Sequence, residues 1–352
     1  MTRWRGVVEE YRAYLPVTGR TPVVTLHEGN TPLVPAPRLA EAIDRRLTIY
    51  LKCEGLNPTG SFKDRGMALA ASKALETGAR ALVCVCTGHT SASAAAYAAR
   101  AGLRAAVLAP RGTVTLGRLA PAVLHGATVL VVDGPVERVV ALARAIAGVR
   151  PVVLADALSP ARLEGQKTAA FEIVDQLGRA PDYHLLPVGH GGNLTASWRG
   201  YREYHRARRC AELPRMVGLQ AAGAAALYEN RPVAEPRTVA AAIRVGHPAV
   251  WSGAVEAIKD SLGWIDVVSD EEILGAYRML AREEGVFAEP AAAATVAGLV
   301  KAVKTGRIEP DATVVLTLTG HGSRDQETAR ESVARPAAAP ADLRTVLERL
   351  GL

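Results

Sequence analysis

The segment Asn57-Pro58-Thr59-Gly60-Ser61-Phe62-Lys63-Asp64-Arg65-Gly66 puts a lysine just past a tight turn, where a run of helically spaced apolar residues begins. The positive end of a helix dipole disfavours an ammonium there and lowers its pKa. A neutral amine is the form that makes a Schiff base with a carbonyl compound. The ordinary alternative is a solvated lysine. Few rivals exist, because the chain has seven Lys (Lys52, Lys63, Lys73, Lys167, Lys259, Lys301 and Lys304) against 35 Arg.

Three glycine-rich turns carry the next signal: Thr87-Gly88-His89-Thr90-Ser91, Gly189-His190-Gly191-Gly192-Asn193, and Thr319-Gly320-His321-Gly322-Ser323. Each follows an apolar run that reads as a strand. Glycine lets backbone approach a ligand closely. Where a helix follows, its unpaired N–H groups favour an anion. The second turn opens a helix pattern and makes the best phosphate cradle. None of the three is a P-loop or a dinucleotide fingerprint. Singly, each is a turn; together, at strand ends of an α/β sheet, they mark where ligands bind.

The elements around these residues alternate. Strand patterns at 48–52, 80–86, 103–108, 128–132, 151–155, 183–188, 215–220 and 313–317 are interleaved with helix patterns. The helices fall at 67–77, 91–101, 116–125, 136–147, 160–177, from 193, and at 340–350. This alternation predicts parallel sheet covered by helices. At 352 residues the chain is long enough for two domains. With 49% hydrophobic and 22% charged residues it is an ordinary globular composition. No apolar run is long enough to span a membrane, and the first residues lack the apolar core of a signal peptide, so a cytoplasmic protein is expected. The net charge of +7 comes from scattered Arg without interleaved aromatics, which gives no support to a nucleic-acid partner. The four Cys form no Cys-x-x-Cys pair, and Cys84 and Cys86 read as one face of a strand. The sequence implies no metal centre.

The stretch from Leu51 to Gly66 resembles threonine synthase, a pyridoxal-phosphate (PLP) enzyme of fold type II, the tryptophan-synthase-β-like class. The likeness extends to Glu28-Gly29-Asn30-Thr31-Pro32-Leu33, Glu164-Gly165-Gln166-Lys167-Thr168, Glu283-Glu284-Gly285-Val286-Phe287, Glu289-Pro290 and Thr319-Gly320-His321-Gly322. It implies two open, twisted, mostly parallel sheets flanked by helices. Residues 1–64 and 155–352 would form a large PLP-binding domain, and 65–154 a small mobile α/β domain. A homodimer and an amino acid substrate are implied likewise.

The resemblance also assigns roles. Lys63 would hold PLP covalently and shuttle protons, with Phe62 packed near the ring. The turn of Gly189, His190, Gly191, Gly192 and Asn193 would bind the cofactor phosphate. Thr319 would meet the pyridine nitrogen and leave the ring neutral. Cys86, Thr87, Thr90 and Ser91 would receive the substrate carboxylate, and Arg162 the side-chain anion. In the family reaction O-phosphohomoserine loses its α-proton, then a β-proton, then phosphate from Cγ; water adds at Cβ to give threonine.

The sequence departs from the family pattern at the pocket. His89, whose Asn counterpart contacts the cofactor 3′-oxygen, His190 and His247 stand where the family has Asn, and Cys86 where it has Ser. Asp156 and Ala157 replace an Asn-Ser pair that holds the substrate phosphate. A like charge about 4 Å from the phosphate costs roughly 4 kcal/mol at an effective dielectric of 20. Asp156 therefore predicts weaker phosphate binding and an altered side-chain specificity, unless protonated His190 neutralises the site. Within the class, a cysteate-synthase-like β-replacement and a deaminating lyase are the other reactions; a PLP-binding protein without turnover is the alternative outside it.

Overall fold

A computed structural model describes residues 3–86, 88–112 and 116–352. Among these residues ten strands form two sheets: β1 (Leu33–Pro35), β2 (Thr48–Lys52), β3 (Ala81–Val85), β4 (Arg104–Pro110), β5 (Thr128–Val132), β6 (Val152–Leu154), β7 (Tyr183–Pro187), β8 (Arg215–Ala221), β9 (Trp264–Val268) and β10 (Thr313–Thr317). The larger sheet runs β1-β2-β10-β7-β8-β9, the smaller β5-β4-β3-β6. Every pairing is parallel except β1 with β2. Helices cover the faces, which is why the central strands are buried on both sides: β7 and β10 are buried at every position. This is the two-sheet α/β architecture expected. Among the described residues no helix is long and apolar enough to cross a membrane.

The patterned strands at 48–52, 128–132 and 313–317 coincide with β2, β5 and β10. Two expectations shift. The helix pattern at 160–177 resolves into two helices, Pro160–Gln166 and Thr168–Leu177, meeting at Lys167. β3 ends at Val85, so Cys84 is buried in the strand while Cys86 lies beyond it, partly accessible. The two cysteines therefore do not share a strand face. The short edge strand β1 and the strand β9 carried no clear sequence pattern.

All three glycine-rich turns sit at the carboxyl ends of parallel strands, after β3, β7 and β10. One close crossing then fixes what faces them. The Lys63 helix (Lys63–Glu76) packs on the Pro160 helix (Pro160–Gln166) through two glycines. A Cβ on Gly66 would lie 2.6 Å from the Arg162 carbonyl oxygen, and one on Gly165 would lie 2.3 Å from that of Arg65. Only backbone against backbone fits, and this brings Arg162 beside Lys63.

Candidate active site

Lys63 begins its helix, and the turn before it is stitched to the β10 turn. Phe62 N–H donates to the Thr319 carbonyl (3.1 Å), and His321 N–H donates to the Gly60 carbonyl (3.0 Å). Asp64 holds the same turn from beneath, accepting from Thr59 N–H (2.7 Å), the Thr59 hydroxyl (2.6 Å) and the Ser93 hydroxyl (2.6 Å). Lys63 Nζ stands 4.1 Å from the Phe62 ring centroid. Its amine is pulled down to about 7, first by burial and then by the Arg162 guanidinium. The lowered amine expected from the sequence is thus present, but its causes are desolvation and a neighbouring cation.

Arg162 is 2% exposed. Its Nη1 donates to the carbonyls of Ala155 (3.2 Å) and Asp156 (2.8 Å), while its buried Nε has no acceptor. Among the described residues no carboxylate lies within ion-pair distance of it. Burial lowers its pKa. A desolvated guanidinium held by backbone and lacking a counter-ion is built to receive an anion.

The turn after β7 leads into the helix Gly192–Arg206. Gly191, its N-cap, has φ +84°, and a Cβ there would lie 2.8 Å from the Val250 carbonyl oxygen. No side chain caps this helix, so its first N–H groups point into the turn unpaired. Asn193 is buried with an unpartnered Nδ2. His184 on β7 anchors the arrangement: one ring nitrogen is 2.6 Å from the Thr317 hydroxyl and the other 3.1 Å from the Tyr201 hydroxyl. This ties β7, β10 and the Gly192 helix together.

His89, first residue of the helix His89–Arg100, pairs its Nε2 with Glu289 Oε2 at 2.5 Å, leaving a buried, unpartnered Nδ1. Glu289 also accepts the Thr319 hydroxyl at 3.2 Å. Burial pushes the Glu289 carboxyl up, but His89, Thr319 and Arg324 together outweigh it and hold the group below the usual range. Sequence reasoning quoted Glu289 without giving it a role. Its partner lies 200 residues away, and no local signal announces the pairing.

The remaining expected residues divide. Ser91 is buried with its hydroxyl on the Gly88 carbonyl (2.7 Å), and Thr90 lies beside it in the same first helical turn. Cys86 Sγ accepts from Gly88 N–H at 3.3 Å and lies within electrostatic reach of Lys63 and Arg162. Thr87 lies outside the described residues. The Ala157 carbonyl oxygen lies 3.9 Å from where Gly192 would carry a Cβ, beside the turn after β7. His190 opens onto the cleft, but surrounding protein, Lys63 and Arg162 push its imidazole below the usual range. Lys63 and Arg162 thus disfavour the protonated form of His190 that the sequence reading invoked to neutralise the site. His247 is exposed beside Trp251, ring centroids 6.5 Å apart. The Asp156 carboxylate turns back to accept Leu158 N–H (3.0 Å) and stands 4.0 Å from Arg144. Its charge is thus engaged.

Residues 24–320 match the family model described as pyridoxal-phosphate dependent enzyme. The chain is 50% identical to the threonine synthase of Halalkalibacterium halodurans over 351 residues, 99% of this chain and 98% of that one. It is 53% identical to the threonine synthase of Mycobacterium leprae over 350 residues, 99% and 97% of the two chains. The chain belongs to the threonine synthase family. Like that family it is a PLP-dependent enzyme of the lyase class with fold type II. Among solved structures, the threonine deaminase from T.th. superposes with a TM-score of 0.70 at 25% identity, covering 90% of this chain and 96% of that one. Maize serine racemase superposes with a TM-score of 0.73 at 19% identity, covering 93% and 95%, a likeness of fold.

PLP fits the residues of this threonine synthase relative. The uncapped Gly192 helix and unpartnered Asn193 Nδ2 suit a phosphate, the lowered amine of Lys63 suits an aldehyde, and the unpartnered His89 Nδ1 and the Thr319 hydroxyl suit a polar ring.

Proposed function

We propose that this chain converts O-phospho-L-homoserine and water to L-threonine and phosphate. The observation that carries the reading is Arg162: a buried guanidinium without a counter-ion among the described residues, beside an amine tuned to about 7. Bound PLP supplies an electron sink for negative charge beside the substrate's amino group. The chain's own residues do the rest. The turn of Gly189, His190, Gly191, Gly192 and Asn193 binds the cofactor phosphate; His89 and Thr319 orient its ring. Thr90 and Ser91, at the start of the His89 helix, take the substrate carboxylate together with Thr87. Arg162 takes the side-chain phosphate. Lys63 Nζ moves the protons, withdrawing one from Cα and serving the neighbouring carbons in turn. Phosphate leaves from Cγ with its bonding electrons, and water then adds at Cβ.

In this reading residues 65–154 close over the substrate as a small mobile domain on the larger one, excluding water until phosphate has left. The enzyme acts in the cytoplasm as a homodimer. Asp156 modulates phosphate affinity without abolishing it, because its carboxylate is already held by Leu158 N–H and faces Arg144. The test is product analysis: the PLP-loaded protein is incubated with O-phospho-L-homoserine, and phosphate and amino acids are quantified. Equimolar threonine and phosphate are expected. Phosphate accompanied by a 2-oxo acid, or no phosphate at all, would overturn the reading.

A further inference from the structure

Glu289 stands at the N-cap of the helix Pro290–Lys304, yet its side chain caps nothing there. A side-chain oxygen in that place can accept an N–H of the first turn. Glu289 is turned to the site instead. Its backbone N–H donates to the Gly320 carbonyl (3.0 Å), and neighbouring Ala288 pairs with His321 across an antiparallel bridge. The residue is thus laid along the turn after β10. Its carboxylate fills the space that a side chain on Gly320 would take: a Cβ there would lie 2.4 Å from Glu289 Oε1. The glycine of that turn makes room for a carboxylate that is 4% exposed. The two oxygens then divide. Oε2 takes His89 Nε2 at 2.5 Å, and Oε1 takes the Thr319 hydroxyl at 3.2 Å. The same carboxylate acts on the Lys63 amine, alongside Arg162 and Cys86. A hydroxyl carries one proton, and so does an imidazole nitrogen that donates. Thr319 and His89 Nε2 both spend theirs on Glu289. What remains for a ligand is the lone pairs of Thr319 Oγ and the buried, unpartnered Nδ1 of His89.

We propose that Glu289 is a positioning residue for the cofactor ring, acting through His89 and Thr319. One carboxylate joins the turns after β3 and β10, so both side chains are oriented before the cofactor arrives. The hydrogen bond at one imidazole nitrogen decides what the other can offer. Fixing two side chains in advance removes their ordering cost from cofactor binding. Without Glu289 the imidazole turns freely about its side-chain bonds, and the Thr319 hydroxyl can spend its proton elsewhere. The inference rests on the reading above that His89 and Thr319 orient the ring, and is independent of the substrate assigned there.

The experiment titrates PLP into cofactor-free wild type, Glu289→Gln, His89→Asn and the double variant, reading the Kd and the visible absorbance maximum of the bound cofactor. Glu289→Gln keeps the shape and removes the charge. Loss of the charge-assisted bonds weakens PLP binding about 10-fold or more and moves the absorbance maximum. In the His89→Asn background the same change costs much less, because the carboxylate has already lost its closest partner. Should Glu289→Gln not fold, Glu289→Asp decides: it keeps the charge, withdraws the carboxylate by one methylene, and is expected to show the same loss and the same spectral change. A Kd within about twofold of wild type with an unmoved maximum, in whichever variant is read, overturns the proposal. Weaker binding with an unmoved maximum marks a merely structural role and overturns it as well. So do losses that simply multiply in the double variant, since Glu289 would then act without His89. Wild type that behaves as expected with PLP yet makes no threonine sinks the substrate assignment and leaves the role of Glu289 standing.

Discussion

Lys63 and Arg65 are two residues apart on one helix and have opposite fates. At 100° per residue they face nearly opposite ways. Arg65 points into a fully buried cluster. It meets Glu54 through Nε (2.7 Å) and Nη2 (2.7 Å), and Glu172 through Nη1 (2.6 Å) and Nη2 (2.7 Å). Lys52 Nζ adds a further cation, 2.8 Å from Glu172. Every charge there has an opposite. Burial would push Glu172 up, but Arg65 and Lys52 hold it down to about 2. On the other side of the helix, Lys63 and Arg162 are neighbouring cations without ion-pair partners among the described residues. The first cluster is complete in itself and holds the fold. The second is left incomplete, and what completes it is a bound cofactor and an anionic substrate.

The contrast breaks most sharply at Lys63. Lys63→Ala is expected to lower turnover at least about 1,000-fold and to abolish the cofactor adduct that borohydride traps on the wild-type peptide, read by mass spectrometry. The fold should survive, because the amine has no structural partner. Glu172→Gln does the reverse. Breaking one partner of a buried cluster costs about 3–5 kcal/mol, measured by urea unfolding, while the chemistry of any protein still folded is intact. The difference between wild type and this variant also depends on pH. A carboxyl held at about 2 against an ordinary 4.5 stabilises fully above pH 4.5, and that contribution disappears as pH falls toward 2.

A smaller effect sharpens the functional side. The rate of cofactor capture by cofactor-free protein should rise with pH through about 7, as Lys63 loses its proton. Arg162→Gln removes a cation that favours the neutral amine, so the midpoint moves upward. The same variant raises KM for O-phospho-L-homoserine about 10- to 100-fold. An unmoved midpoint would show that burial alone tunes the amine. Smallest is Asp156→Asn. With its carboxylate already engaged and partly solvated, the change should improve kcat/KM for the phosphorylated substrate by less than about fivefold. A gain near a thousandfold would restore the unscreened repulsion anticipated from the sequence.

Legibility followed range. The lysine turn, the three glycine turns and the parallel strands were readable because each is written in consecutive residues with a periodicity or a turn chemistry. Glu289 was not, because what matters about it is its company: His89 and Thr319, both remote in the chain. The strand face assigned to Cys86 is corrected for a related reason, and the direction of the His190 shift was not visible either. Where a strand stops, and how strongly surrounding protein and neighbouring cations act on an imidazole, depend on packing from other parts of the chain.

By itself the sequence determined the alternation of strands and helices, the placing of glycine turns at strand ends, and the choice of one lysine among seven. These follow from local propensity and patterning. Tertiary structure decided the electrostatics. It brought Gly66 against Gly165, set Arg162 beside Lys63, gave Arg65 two carboxylates and, among the described residues, denied Arg162 an ion-pair partner. Charge interactions depend on distance and burial, and both arise only when segments remote in the chain close on one another.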